Sequence, residues 1–235
     1  PVTLTVLRLG SPAVAALAVW SATVTDELVH TGFGLLAGVL VVLASFAAPV
    51  ADRFVDGASY GDERRFLLRA PGPVVLVLGP LATAVALAGA TVGPVLLLHS
   101  QWVAGAVVTA AGLPLAVLSL GSLHRLARRW IVLVPAGFVL HDHLALAEPT
   151  LLQRAGLKQL GAAAADTGTC DFTQQARGLA LEVRCRRPHD VLPVKSRSGA
   201  KTTAIEVEAI DAFLCSPVRP NVVLAEAARR RLPVG

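Results

Sequence analysis

Two uncharged stretches near the middle of the chain decide the fold. Residues 71–98 read PGPVVLVLGPLATAVALAGATVGPVLLL, and residues 100–123 read SQWVAGAVVTAAGLPLAVLSLGSL. A helix needs about 20 apolar residues to cross a hydrocarbon core of about 30 Å, and each stretch is long enough. His99, Ser100 and Gln101 supply a short polar turn between the two apolar runs. These stretches therefore predict a pair of membrane-spanning helices joined by a tight turn.

Two earlier stretches have the same character. Residues 31–50 read TGFGLLAGVLVVLASFAAPV, and residues 9–25 are also uncharged, with Arg8 just before them. A secretory signal peptide is the alternative interpretation of residues 9–25. A second apolar run follows directly after a short polar turn at 26–30, which favours a spanning helix. The expected fold is a membrane α-helical bundle of four transmembrane helices plus a small sheet domain.

Charged residues are distributed unevenly along the chain. Of its 235 residues, 54% are hydrophobic and only 16% are charged, with a mean hydropathy of +0.63. A soluble domain carries about 25% charged residues, so an ordinary soluble enzyme is disfavoured. Residues 1–123 contain 5 basic and 6 acidic side chains, whereas residues 124–235 contain 16 and 10. We therefore expect a transmembrane domain over 1–123 and a cytoplasmic domain over 124–235.

The arginines also predict the orientation of the helices. Lys and Arg are absent between residues 9 and 52 and between 70 and 124, which leaves both short turns without a basic residue. Positively charged segments stay on the cytoplasmic side of a membrane. We expect a multi-pass protein of the cell membrane with both termini in the cytoplasm. The residues placed on that side are Arg8, Arg53, Arg64, Arg65, Arg69, Arg125, Arg128 and Arg129.

The C-terminal half has the pattern of short strands and one helix. Residues 128–134 (RRWIVLV) and 138–140 (FVL) flank Pro135-Ala136-Gly137, which predicts a β-hairpin. Further strands are expected at Thr150–Gln153, Gly178–Cys185 and Thr203–Glu208, with a basic hairpin tip at 195–201 and an ambiguous, partly loop-like segment at 161–177. Pro220 suits a first helical turn, so a helix is expected over Asn221–Arg231.

This order of elements resembles the bacterial pleckstrin-homology-like (PH-like) domains that hang from short membrane bundles. The stretch 213–220 (FLCSPVRP) before a helix is similar to their final strand and helix entry, and 130–139 (WIVLVPAGFV) resembles their first hairpin. The whole chain resembles uncharacterised actinobacterial multi-pass membrane proteins with such a C-terminal domain. The likeness covers about residues 124–232, and it implies a scaffold or interaction role by association only, since a fold does not fix a function.

Two groups of residues are the expected sites. Basic and aromatic side chains where the bundle meets the tail are expected to contact the membrane interface and anionic lipid; they are Arg125, Arg128, Arg129 and Trp130. Glycines four residues apart let helix backbones approach closely, and this predicts helix packing at Gly34, Gly38, Gly89 and Gly93.

Motifs for chemistry are weak. His141 and His143 supply two imidazoles, fewer than the three or four ligands of a zinc site, and a polar hairpin end near the headgroups is the favoured interpretation. Residues 198–202 (SGAKT) lack the spacing of a phosphate-binding loop. The three cysteines form no CxxC pair, which is typical of a reducing compartment. We expect no cofactor, no metal site and no nucleic-acid partner.

The expected function is a non-enzymatic scaffold or interaction partner of a membrane complex. Its expected partners are the lipid bilayer and either another membrane protein or anionic lipid. The alternative is a small membrane enzyme or transporter that uses the acidic loop 52–63, which carries Asp52, Asp56, Asp62 and Glu63. The helices predicted over 31–50, 71–98 and 102–123 contain no ionisable residue deep inside, which disfavours an ion-coupled transporter.

Overall fold

The computed structural model describes residues 2–24, 28–164, 167–195, 204–205 and 207–235. Its contacts divide the chain into two compact units. The helix unit contains Pro1–Phe54 and Pro73–Ala127, and the sheet unit contains Val55–Gly72 and Arg128–Gly235. The linear division expected at residue 123 leaves 55–72 with the helices, whereas the structure packs this segment with the sheets. The sheet unit is thus built from two separate pieces of the chain.

The helix unit contains four long apolar helices. They are α1 (Val2–Val24), α2 (Leu28–Phe46), α4 (Gly79–Leu98), which continues a π-helical turn at Val74–Leu78, and α5 (Trp102–Leu126). A short helix, α3 (Ala48–Asp56), follows α2. The spans Val2–Ser21, Val29–Phe46, Val74–Leu98 and Trp102–Leu126 are long and apolar enough to cross a membrane. These helices confirm the four predicted segments and suggest a multi-pass membrane protein.

Helix α1 begins seven residues before the apolar run that predicted it, so Arg8 lies inside the helix. Contacts between α1 and α2 run in opposite directions along the two helices: Ser11 bonds to Ser45 at 2.7 Å, and Gly38 approaches Ala15. The start of α1 therefore lies beside the end of α2. Thr5 also bonds to His124 Nδ1 at 3.0 Å, which places the end of α5 at the same end of the unit.

The first sheet of the sheet unit has the order β1-β2-β3-β4, and its pairs are all antiparallel. The strands are β1 (Arg64–Leu67), β2 (Trp130–Val134), β3 (Gly137–His141) and β4 (Thr150–Gln153). The predicted β2–β3 hairpin and the predicted strand β4 are confirmed. Gly137 has a φ of +153°, and a Cβ there would overlap the Leu152 carbonyl oxygen, so this turn requires glycine. Strand β1 comes from the loop between α3 and α4, where no strand was expected.

The second sheet has the order β5-β7-β10-β6, and a two-stranded ribbon joins β8 to β9. The strands are β5 (Leu157–Ala162), β6 (Cys170–Asp171), β7 (Leu181–Val191), β8 (Val194–Lys195), β9 (Ala204–Ile205) and β10 (Glu208–Cys215). The strand expected at 178–185 starts three residues later and continues to Val191. The strand expected at 203–208 is interrupted, since Ala204–Ile205 is β9 and Glu208 begins β10. The expected basic tip and residues 198–202 lie outside the described residues, apart from Lys195 in β8.

Helix α6 (Pro220–Arg229) covers one core shared by both sheets. Its Val223 and Ala227 are fully buried, as are Leu133 and Phe138 of the first sheet. The Phe138 ring lies 6.1 Å from the ring of Phe213 in the second sheet, measured between centroids. Burying one such side chain stabilises a fold by about 1.5–3 kcal/mol. The predicted C-terminal helix is confirmed, and it ends at Arg229.

Candidate functional site

Arg129 lies immediately before β2, and it is buried rather than turned to the membrane. Only 1% of its surface is exposed. Its Nε and Nη2 donate to the two carboxylate oxygens of Asp142 at 2.7 and 2.6 Å, and its Nη1 donates to the Arg69 carbonyl oxygen at 3.0 Å. A guanidinium that is buried and bound in this way has no surface for a lipid headgroup. The lipid contact expected from the sequence therefore does not fit Arg129.

This buried pair joins the two pieces of the sheet unit. Arg69 belongs to the loop segment, whereas Arg129 and Asp142 belong to the C-terminal segment. Two backbone bonds strengthen the junction, from Leu68 to the Arg129 carbonyl and from Arg69 to the Ser216 carbonyl, at 3.0 and 2.8 Å. Removal of one partner from a buried pair leaves an uncompensated charge. The arrangement thus fixes loop 55–72 onto the C-terminal strands.

Trp130 takes part in a row of rings and cations on the first sheet. It is half-buried, and its ring stacks on His141 with centroids 4.8 Å apart. The Arg65 guanidinium lies 5.5 Å from the Trp130 ring centroid. Burial, together with the charges of Arg128, His143 and Arg65, lowers the pKa of His141 despite the opposing charge of Asp142. Arg125 and Arg128 are exposed, and their contact with lipid stays a prediction.

The acidic loop is held by ion pairs. Asp56 pairs with Arg64 at 3.1 Å and accepts hydrogen bonds from the Ser59 hydroxyl and the Arg65 backbone. Glu63 pairs with Arg65 at 2.6 Å and accepts from the Tyr60 backbone. Both carboxylates therefore shape the turn that leads into β1. An acid–base pair for catalysis would need carboxylates that are directed at a substrate, and these two are directed at their own loop.

The remaining acidic residues of this segment lie elsewhere. Asp52 is buried in α3 and belongs to the helix unit, with 8% of its surface exposed. The Asp62 backbone carbonyl accepts from Arg230 Nη1 at 2.6 Å, which connects the loop to the end of α6. The four acidic residues at 52–63 are thus divided between two units.

Three of the four predicted glycines, Gly38, Gly89 and Gly93, lie at helix contacts. In α2, Gly34 is half-buried, and a Cβ on Gly38 would lie 3.1 Å from the Ala15 Cβ. A Cβ on Gly93 would lie 2.7 Å from the Thr109 nitrogen, and one on Gly89 would overlap the Gly112 backbone. Gly105 and Gly112 of α5 supply the opposite side of the α4–α5 contact, and sequence reasoning missed them. Their spacing of seven residues, two helical turns, was the available signal.

An opening between β4 and the second half of β7 is the candidate docking site. Backbone bonds join the flanking segments on either side of it, from Ala147 to the Leu192 carbonyl and from Arg186 to the Gly156 carbonyl, each at 2.8 Å. Between these bonds lies a cleft of about 250 Å³, lined by 148–151 and 189–192. In the described part of the chain, no strand pairs with the outer edge of β4. The sequence analysis did not locate this edge.

The backbone of β4 presents Leu151 to this cleft. The Arg154 nitrogen donates to the Ala136 carbonyl at 2.8 Å, so residues 150 and 152 direct their backbone groups at β3. Alternate residues of an antiparallel strand direct theirs to the opposite side. The N–H and C=O of Leu151 therefore point outwards, and its side chain is 42% exposed. Glu148 and Asp190 add exposed carboxylates to the cleft.

The cysteines and histidines show no arrangement for chemistry. Cys185 and Cys215 are buried, Cys170 is half-buried, and all three are free thiols. Burial raises the pKa of Cys215, and the Asp142 charge raises it further, so this thiol stays protonated and unreactive. His143 is exposed while His141 stacks on Trp130. Over the ranges that the structure describes, no group of three or more His, Cys, Asp or Glu side chains is placed to hold a metal ion.

Comparison with known proteins gives no relative from which a role is transferable. No protein-family model, no curated protein and no solved structure matches this chain. Three features of the chain's own geometry therefore bear on function. They are the buried Arg129–Asp142 pair, the ion-paired loop that leads into β1 and the open edge of β4.

Proposed function

We propose that this protein is a membrane-anchored docking module, in which the sheet unit captures an extended segment of a partner membrane protein. The role is non-enzymatic. One observation carries the proposal: β4 presents an unpaired edge, with the N–H and C=O of Leu151 directed outwards, to an open cleft beside β7. A strand edge is a template for pairing with another chain, and strand addition is a common mode of peptide recognition.

The order of elements supports a PH-like sheet unit. An antiparallel four-stranded sheet precedes a second sheet, and a C-terminal helix packs on the shared core. The likeness rests on this order alone. The proposed placement is cytoplasmic, at the cell membrane, because the arginines cluster in the segments next to the helix ends and are absent from both short turns.

The cleft suggests the chemistry of the partner segment. Glu148 and Asp190 bring two exposed carboxylates, and the Leu151 side chain adds an apolar contact. An extended segment with a basic residue and an apolar residue complements these groups. Pro149 also lines the cleft immediately before β4, and proline lacks the N–H that a ladder needs. The partner's pairing with β4 therefore depends on the backbone groups of Leu151.

A backbone test at Leu151 addresses this proposal. Leu151→Pro deletes an N–H that points into the cleft and leaves the bonds from β4 to β3 in place, whereas Leu151→Val keeps that N–H. A photo-cross-linking residue at 151 in native membranes identifies the partner segment, with exposed position 177 as the control site. A synthetic peptide of that segment should bind the purified full chain, and Leu151→Pro should weaken binding about tenfold, the loss of about one or two hydrogen bonds.

Two outcomes would overturn the docking role. Cross-links of equal yield at positions 151 and 177 would mean that the β4 edge is not special. Equal binding by Leu151→Pro and Leu151→Val would mean that the partner does not add as a strand. A chain that ends at Leu123 is a poor substitute for these variants, because β1 would lose its partner β2.

A further inference from the structure

Arg8 is the one basic residue before position 53, and it lies inside an apolar helix. It belongs to α1, within the span Val2–Ser21. Its guanidinium lies 5.3 Å from the centroid of the Phe46 ring, at the end of α2. Its Nε is buried and has no hydrogen-bond partner among the residues that the structure describes. The helix unit thus contains a guanidinium whose buried Nε donates to no group of the described residues.

Neighbouring polar groups do not satisfy this guanidinium. Ser11, one turn after Arg8, bonds to Ser45, whose hydroxyl donates to the Val42 carbonyl. Thr5, one turn before it, bonds to His124. The hydroxyls on either side of Arg8 are therefore committed to other helices. Arginine keeps its charge in proteins, and an unpaired cation at membrane depth is costly, so an anion from outside the chain is expected.

The position of Arg8 favours a headgroup phosphate. Arg8 lies about 9 Å along the helix axis from Val2, at about 1.5 Å per residue, and a long side chain reaches from this depth to the interface. Phe46 is 52% exposed, so its ring and the guanidinium above it lie at the outer surface of the helix unit. Another exposed cation of the unit, Arg125, lies at the end of α5, next to the His124 that bonds to Thr5 of α1, which favours a lipid with net negative charge.

We propose that the Arg8 guanidinium binds the phosphate group of an anionic membrane lipid where α1 begins and α2 ends. The planar fork of arginine donates two parallel hydrogen bonds to a phosphate. Phe46 holds the guanidinium in place from the opposite side through its ring face. This inference rests on the membrane placement of the helices and is independent of the docking role of the sheet unit.

Lipid retention by the full chain tests the site. The protein is purified in detergent, supplied with phosphatidylglycerol or phosphatidylcholine, and weighed intact by native mass spectrometry. Arg8→Gln should reduce retention of phosphatidylglycerol about tenfold, as expected for a hydrogen-bonded charge. Arg8→Lys should give an intermediate loss, because an ammonium lacks the fork. The matched control is Arg53→Gln, an exposed arginine of the same unit, which should change retention by less than about twofold.

Two further measurements distinguish a lipid phosphate from free phosphate and keep the proposal testable if the Arg8→Gln variant does not fold. If inorganic phosphate at millimolar concentration displaces phosphatidylglycerol from the wild-type chain, the site takes a free anion and the lipid assignment fails. Equal retention by Arg8→Gln and wild type also overturns it. If Arg8→Gln does not fold, the wild-type chain still decides: phosphatidylglycerol should raise its melting temperature more than phosphatidylcholine, and equal shifts would reject the site. The Leu151 peptide assay should be unaffected by Arg8→Lys.

Discussion

The helix unit and the sheet unit each hold an arginine away from bulk water, and they compensate its charge differently. Arg129 is 1% exposed and bonds to both oxygens of Asp142. Arg8 contacts the ring of Phe46, and its Nε has no hydrogen-bond partner in the described part of the chain. The sheet unit balances its charge internally, which makes Arg129 an element of stability. The helix unit leaves that balance to its surroundings, which makes Arg8 a candidate for binding.

Removal of one side of the buried Arg129–Asp142 pair should have the largest effect on the sheet unit. Asp142→Asn should destabilise the sheet unit by about 3–5 kcal/mol, because the Arg129 charge stays buried without a counter-charge. Hydrogen exchange of the full chain is measured by mass spectrometry. Relative to wild type, Asp142→Asn should accelerate exchange in β1 and β2 and leave exchange in α4 and α5 unchanged. The control is Glu182→Gln, which breaks the ion pair with the half-exposed Arg184 and should cost much less. Equal exchange in Asp142→Asn and wild type would contradict the structural role of Arg129.

Close packing in the helix unit gives the next largest effect. Gly89→Ala places a methyl group against the Gly112 backbone, and overpacking of this kind costs about 1–3 kcal/mol. Gly121→Ala, at a helix position with no atom within 4 Å, is the matched control and should be neutral or slightly stabilising. Denaturant titration in detergent measures both. A neutral Gly89→Ala would mean that α4 and α5 are not in backbone contact.

Acidification should have a smaller effect, confined to the sheet unit. The pKa of His141 is lowered in the folded protein, chiefly by burial and then by Arg128, so the unfolded chain binds its proton more readily. Stability from this group is fully present above the unfolded pKa of about 6.5 and is lost as pH falls through the lower folded value. Denaturation of the full chain at pH 7.5 and pH 5 should show this loss, and His141→Gln should reduce it. An unchanged pH dependence in His141→Gln would assign the effect to another group.

The helix unit could be predicted almost entirely from the sequence, and the reason is physical. A helix satisfies its backbone within one continuous segment, so composition alone reveals four spans. The exceptions are the short helix α3, which was expected to be loop, and the start of α1, where the charge of Arg8 suggested a boundary and the helix instead continues through it. The glycine spacing also indicated close contacts, since a missing Cβ acts locally.

The sheet unit was only partly predictable, because strands depend on distant partners. The hairpin and β4 carry their own turn signals, whereas β1 is a short stretch between charged residues, and its Arg64 pairs with the distant Leu133. The sequence analysis predicted a lipid contact for Arg129 because Arg129 follows another arginine, Arg128. The hairpin register contained the correction: Trp130 pairs with His141, so the preceding Arg129 must oppose Asp142. Opposite charges at facing positions were the signal that was missed.

The pairing of β1 with β2 has a consequence for biosynthesis. The ribosome completes β1 before it makes α4 and α5, and β2 follows only after both helices. At about 5–20 residues per second, this strand waits roughly three to thirteen seconds for its partner. Throughout that interval Phe66 and Leu67, which are 3% exposed in the finished fold, have no sheet to cover them. During this interval, a chaperone or a second nascent copy can compete with β2 for the apolar residues of β1.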